Sequence, residues 1–310
     1  MRAHGARLLA AVAVALASVA GTSALAQAQS DARAPKTGPH EYSCPIFPAS
    51  NPLNQEIAHA PVDSNSAAYI ASIGLTGHLH PDFGTNPSYG IPYTVVGLHQ
   101  SKVPIRFTEY GEESNPGPYP IPANAPIEGA GEAGDRHVLV LEEGSCKLYE
   151  LYNAQRASNG WEAGSGAVFD LRSNALRPNG WTSADAAGLP IFPLLVRYPE
   201  VHAGQIDHAL RVTVARTQAG FIHPATHFAS SSSDPDLPPM GLRLRLKASY
   251  SLAGFHGESL IILRALKRYG LIVADNGSSW YITGAPDPRE RADRGCGRSR
   301  RSSRARAGGR

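Results

Sequence analysis

The sequence predicts a mainly-β domain, a β-sandwich or jelly-roll-like fold with a few short helices and one C-terminal amphipathic helix. Three observations predict it. Short alternating or continuously apolar runs recur from Tyr93 to Ile282. The connections between them are rich in turn formers, drawn from 31 glycines and 25 prolines. Helical apolar periodicity is confined to short stretches and one longer one near the C-terminal end.

Residues 1–26 read as a secretory signal peptide. Arg2 and Arg7 precede the apolar run Leu8–Ala20, and Ala24-Leu25-Ala26 is an A-x-A cleavage signal. That run is shorter than the ~20 residues a membrane span needs, so the mature chain is expected outside the cytoplasm with no membrane span. Residues 27–43 form a polar leader without pattern.

From Tyr42 to Pro126 the chain is rich in Pro, Gly and Asn. A short helix is predicted over Asn65–Ile73, with Ser64 or Asn65 as N-cap and Gly74 ending it. Strand-like runs follow at Tyr93–Leu98 and Val103–Thr108. Pro116, Pro118, Pro120, Pro122 and Pro126 then hold an extended loop. Arg136–Glu142 and Cys146–Tyr152 read as a hairpin across Glu143-Gly144-Ser145, and Gly166–Leu171 as a further strand. Thr182 with Asp185 matches a capping box and predicts a short helix that Gly188 and Pro190 end.

His208–Val214 alternates, with Leu210, Val212 and Val214 on one face. Gly241–Lys247 alternates too, setting Leu242, Leu244 and Leu246 against Arg243, Arg245 and Lys247. Glu258–Tyr269 places Leu260, Ile261, Leu263 and Leu266 in one stripe, with Gly270 at its end. Leu271–Ala274 and Trp280–Ile282 then read as a last strand pair around Asp275-Asn276-Gly277-Ser278.

Charge is unevenly placed. Subtracting +7 for residues 289–310 and +2 for the signal segment from the formal +3 leaves −6 for residues 27–288. A nucleic-acid partner, which needs basic residues on the folded surface, is therefore not expected. The Arg-rich tail from Arg289 to Arg310 lacks apolar periodicity and is expected to be disordered; it reads either as a basic arm for anionic wall polymers or, preferably, as an out-of-frame end. Residues 44–288 are expected to form a single secreted domain, and a monomer. Cys44 and Cys146 lie in patterned sequence and are expected to pair across a loop of roughly a hundred residues, leaving Cys296 over.

The run Gly164–Tyr198, with His223-Pro224-Ala225-Thr226-His227, Pro238–Arg243 and Ala274–Tyr281, resembles an uncharacterised family of exported bacterial proteins. The similarity covers roughly Cys44 to Pro288. It implies export and a single domain, and no activity or catalytic residues. In that family the Gly284–Arg289 segment is followed by Trp and acidic residues. Here Glu290-Arg291-Ala292 leads into arginine-rich sequence.

Nucleophile and nucleotide signatures are missing: there is no G-x-S-x-G, P-loop or G-x-G-x-x-G. His78-Leu79-His80-Pro81-Asp82 and His223/His227 have ligand-like spacing, but Pro224 argues against a helical His pair and neither pattern carries a metal assignment. No cofactor is expected. What remains is glycan cleavage on an extracellular polysaccharide, which needs only placed carboxylates, or a base with cationic groups. A hydrolase would use Asp170 with Asp135 or Asp185. A lyase would use His137 or His208 as base, with Arg172, Arg243 or Arg245 on the substrate carboxylate and Trp181 nearby. Asp170, ending a strand, either caps the next turn or points into a site. The alternatives are a non-catalytic polysaccharide- or wall-binding module stacking sugars on its tyrosines and tryptophans, and an extracytoplasmic structural protein.

Overall fold

The computed structural model describes residues 38–290. The signal segment, the start of the leader and residues 291–310, including Cys296, lie outside the described residues. The chain begins as β1 (His40–Glu41), which turns back on β2 (Cys44–Pro45). The end of the expected leader is thus paired structure, and Glu41 is buried. Cys44 and Cys146 form the expected disulfide, 102 residues apart in sequence with Cα atoms 5.4 Å apart.

Helix α1 (Ser66–Ile73) starts after Asn65 and stops at Gly74. Strands β3 (His80–Asp82), β4 (Tyr93–Val96), β5 (Ile105–Phe107), β6 (Val138–Glu142) and β7 (Lys147–Tyr152) follow. Then come β8 (Gln155–Ala157), β9 (Gly160–Ala163), β10 (Ser165–Asp170), α2 (Tyr198–Ala203) and β11 (Leu210–Val214). The chain closes with β12 (Arg243–Leu244), α3 (Gly257–Arg268), β13 (Leu271–Asn276) and β14 (Tyr281–Thr283).

Beyond the β1/β2 ribbon these strands make three sheets, ordered β10-β7-β6-β4, β12-β13-β11-β14-β3 and β5-β9-β8. The mainly-β class is what the sequence predicts, and the β6/β7 hairpin pairs Val138 with Leu151 and Glu142 with Lys147. The finer sandwich or jelly-roll layout does not follow from the pairings. Each sheet contains a parallel pair (β4/β6, β11/β13, β14/β3 or β5/β9), whereas those folds are antiparallel. Strand β6 explains why its sequence reads apolar on both faces. Leu139 and Leu141 enter a large core shared with Leu148, Phe192, Leu210 and Ile272. Val138 and Val140 enter a smaller one with Tyr119, Tyr149 and Trp161.

Three local expectations are corrected. β13 and β14 are not a hairpin pair, because β11 lies between them, parallel to β13 and antiparallel to β14. Residues 277–280 wrap the end of β11 instead, with Gly277 N–H on Val214 O and Trp280 N–H on Thr213 O. The 241–247 ladder shrinks to two strand residues, since Leu246 N–H turns onto Leu266 O of α3. Residues 182–188 form no helix. The hydroxyl of Thr182 faces the carbonyl of Asp185, and the Asp185 carboxylate is drawn away by a buried arginine. Helix α3 buries Leu263 and Leu266 of its predicted stripe together with Ala265, while Leu260 and Ile261 are half-buried. Among the described residues no helix is long and apolar enough to cross a membrane.

Candidate functional site

Strand direction gathers the site. In the antiparallel run β6–β7–β10, the start of β6, the end of β7 and the start of β10 share one sheet edge. That edge brings Asp135, Tyr152 and Ser165 beside Asp275 and Asn276 at the end of β13. Residues Thr182–Ala186, with Tyr110, His227 and Ala229 from neighbouring loops, complete a cleft of about 240 Å³.

The floor is fixed from below. Ser165 Oγ donates to Ser183 O at 2.7 Å, and Ser183 Oγ accepts Asp185 N–H at 2.9 Å. Ala187 N–H reaches Ala274 O at 3.0 Å, so the loop runs along β13. Behind it, Glu150 is wholly buried and accepts the Ile191 and Phe192 N–H groups at 2.9 and 2.8 Å. Burial pushes its carboxyl up to about 7.

Arg211 of β11 organises the charges. Its Nε and Nη2 grip Asp185 in a bidentate pair at 2.7 and 2.9 Å. Nη1 donates to Thr283 Oγ1 at 2.7 Å, and Nη2 also reaches Asp275 Oδ2 at 3.2 Å. Desolvation of Arg211 is outweighed by Asp185, so the guanidinium stays charged. With Asp185 taking its best geometry, Asp275 is left under-compensated. Burial, then the Asp185 charge, push Asp275 up to about 7. The cleft therefore holds one carboxylate fully clasped by Arg211, one carboxyl poised near neutrality, and Asp135 exposed at the rim.

His137 supports the floor from behind the cleft. Its Nδ1 lies 2.6 Å from Glu128 Oε2 and its Nε2 donates to Ala184 O at 2.8 Å. Burial disfavours the ring's charge, but Glu128 outweighs it and holds His137 up at about 9. His227 Nδ1 donates to Ala186 O at 2.7 Å.

Of the residues expected from sequence, the cleft gathers Asp135 and Asp185, with His137 behind Ala184. Trp181 precedes the floor, half-buried, with the Arg177 guanidinium 5.6 Å from its ring. The structure does not bring Asp170 to them. It pairs with Lys147 at the opposite end of β10 from Ser165, roughly 17 Å away at ~3.4 Å per residue. There its Oδ1 accepts Arg172 N–H at 2.9 Å, the geometry of a turn cap.

His208 precedes β11, at the other end of that strand from the residue paired with Asn276. Its Nε2 is 3.1 Å from Glu200, and Nδ1 donates to Ala209 O. Arg172 donates to Gly144 O and reaches Cys146 Sγ. Arg243 donates to Pro52 O and Tyr269 O, and burial lowers it to about 10. Arg245 lies half-buried just past β12.

Arg211, Asp275 and Tyr152 were not legible as site residues, while Tyr110 was expected only among the stacking aromatics and His227 only as half of a ligand-like pair. Asp275 sits in a D-N-G-S string that reads as a hairpin turn, and Arg211 alternates with core residues as any outward residue would. The ligand-like histidines have local partners: His80 stacks on Tyr281 at 4.1 Å and His223 Nε2 donates to Asn179. Among the described residues no three His, Cys, Asp or Glu are grouped to hold a metal ion. Comparison with family models, curated proteins and solved structures finds no match for this chain.

Proposed function

We propose that the protein is a secreted, monomeric carbohydrate-active enzyme that hydrolyses an extracellular polysaccharide in this cleft. The Cys44–Cys146 disulfide supports an extracytoplasmic location. The observation that carries the reading is the open, acidic cleft in which Asp185, Asp275 and Asp135 stand in three different charge environments.

Glycoside hydrolysis needs one carboxylic acid to protonate the leaving oxygen and a second carboxylate to act on water or on the sugar. Asp275, held near neutrality by burial and by Asp185, is the acid. Asp135, exposed on the rim, is the second carboxylate. Asp185 is committed to its bidentate pair with Arg211, and its charge raises Asp275. The hydrolytic branch is favoured over the lyase branch because no Lys or Arg is among the described lining residues to receive a substrate carboxylate.

A second reading, a non-catalytic glycan-binding module, is favoured by Tyr110 and Tyr152 on the cleft walls. The other aromatics expected to stack sugars are mostly engaged: Tyr119 and Trp161 are core, and Trp280 Nε1 donates to Gly74 O. Incubating the protein with bacterial and plant glycans and measuring new reducing ends decides between them. Release that Asp275→Asn abolishes supports the hydrolase. Glycan binding with no release gives the binding module, and neither result leaves both readings without footing.

A further inference from the structure

Hydrogen-bonding capacity in the cleft is spent unevenly. On the floor, Ser165 Oγ donates to Ser183 O, Ser183 Oγ donates to Leu189 O, and both Asp185 and Asp275 accept from Arg211. At the sheet edge the capacity is unspent. Tyr152, at the end of β7, lines the cleft half-buried, and its hydroxyl has no hydrogen-bond partner among the described residues. The Asp135 carboxylate on the same edge is exposed and has no partner there either.

The Tyr152 ring is set in place before any ligand arrives. Gly164 N–H donates to Tyr152 O at 2.8 Å, and Gly164 O accepts Tyr110 N–H at 2.9 Å. A Cβ at position 164 would stand 2.8 Å from Tyr152 Cδ1 and 3.0 Å from Cε1, so the ring fills the space this glycine leaves. His137 flanks it, with ring centroids 6.0 Å apart and planes at 51°. Asp135 is tied to the same edge, since Asn153 N–H donates to Asp135 O at 2.7 Å. Burial first, then the charge of Asp135 and, among others, that of Asp275, push the Tyr152 hydroxyl up. It therefore keeps its proton and stands as a donor. A fixed donor without a protein acceptor, within electrostatic reach of both carboxyl groups assigned to the chemistry, is completed by an acceptor oxygen on the ligand. An uncharged sugar supplies that oxygen, and its own hydroxyl hydrogen can be donated to Asp135. No Lys or Arg among the described lining residues offers a rival charged donor.

We propose that Tyr152 is a substrate-contacting residue of the cleft, its hydroxyl donating to an oxygen of an uncharged sugar bound beside Asp135 and Asp275. This rests on the reading of the cleft as a glycan site, and it adds the group that holds the sugar at the two carboxyls.

The test uses the full folded protein, titrated calorimetrically with cellohexaose, chitohexaose, xylohexaose and maltohexaose, while reducing ends are measured on the same samples. Wild type binds at least one of them. Tyr152→Phe keeps the ring and removes only the hydroxyl, so it weakens that binding about tenfold and lowers kcat/KM about as much. Because the hydroxyl has no partner inside the protein, the melting temperature of Tyr152→Phe stays that of wild type. Hydroxyl-dependent binding without reducing-end release supports the contact and removes the hydrolase reading. Release that Tyr152→Phe leaves unchanged in KM and kcat overturns the contact and spares the hydrolase. Equal binding by Tyr152→Phe, a lowered melting temperature that shows the hydroxyl engaged within the fold, or no binding of any of the four oligosaccharides by wild type also overturns it.

Discussion

Two arginines, Arg197 and Arg211, are buried between paired carboxylates, each with a histidine nearby, yet their surroundings differ. Arg197 is fully buried. Its Nη2 lies 2.8 Å from Glu200, its Nε 3.7 Å from Glu41, and His208 joins through Glu200. Both Glu41 and Glu200 have side chains no more than 10% exposed. Arg211 clasps Asp185, which is also sealed, but its second partner Asp275 is 20% exposed and faces the cleft.

The same chemistry is a staple in one place and a tuning device in the other. In the sealed cluster Arg197 ties β1 through Glu41 to α2 through Glu200. In the open cluster the arginine is committed to one carboxylate, and the other is left near its titration point where a ligand can reach it. What separates a structural ion cluster from a candidate site here is access of one member to water, more than the residue types present.

The largest expected effect tests that distinction through stability. Arg197→Met strands Glu41 and Glu200 inside the protein and should cost about 3–5 kcal/mol by urea unfolding. Arg211→Met strands one sealed carboxylate, Asp185, rather than two, and should cost less, because Asp275 is near neutral and partly wetted. Equal losses would break the comparison.

Next is the His137–Glu128 pair beneath the cleft floor. The folded value of His137, about 9, lies above its ordinary 6.5. Its contribution is therefore fully present below 6.5 and is lost as pH rises through about 9. The stability gap between wild type and His137→Gln should narrow over that window by roughly 3 kcal/mol. A gap that stays constant with pH would show that the ring is not charged in the fold.

The third effect tests the proposed hydrolase. Asp275→Asn should lower glycan hydrolysis at least ~10²-fold, with unfolding free energy changed by less than ~1 kcal/mol. In wild type the rate should fall as pH rises through about 7, where Asp275 loses its proton, and the variant's residual rate should lack that limb. An unaltered pH profile in Asp275→Asn would take the acid's role away from this residue.

The smallest effect belongs to Asp170. Asp170→Ala removes the acceptor of Arg172 N–H and should cost about 1 kcal/mol, with hydrolysis unchanged. A large rate loss without unfolding would place chemistry at the far end of β10 and undo the assignment of the cleft.

The amino-acid pattern alone carried the mainly-β class, the β6/β7 hairpin, α1 and α3 within a residue or so, and the Cys44–Cys146 bridge. These rest on short-range physics: alternation over a few residues, a glycine after an apolar stripe, cysteines placed in patterned strands. It also singled out Thr182–Asp185 as an unusual polar stretch, although it read a helix cap there. Asp185 bonds an arginine 26 positions away, and no local motif records that.

Tertiary structure decided the rest. Only the insertion of β11 between β13 and β14 turned Asp275 from a hairpin-turn residue into a strand end facing a cleft, and put Arg211 within reach of it. Only strand direction separated Asp170 from Ser165 along β10 while bringing Asp135 and Tyr152 to the cleft edge. The physical reason is range. Periodicity fixes which face of a strand is buried, whereas a charged site depends on which strands become neighbours and on where water is excluded. Those are set by long-range packing that neighbouring residues do not encode.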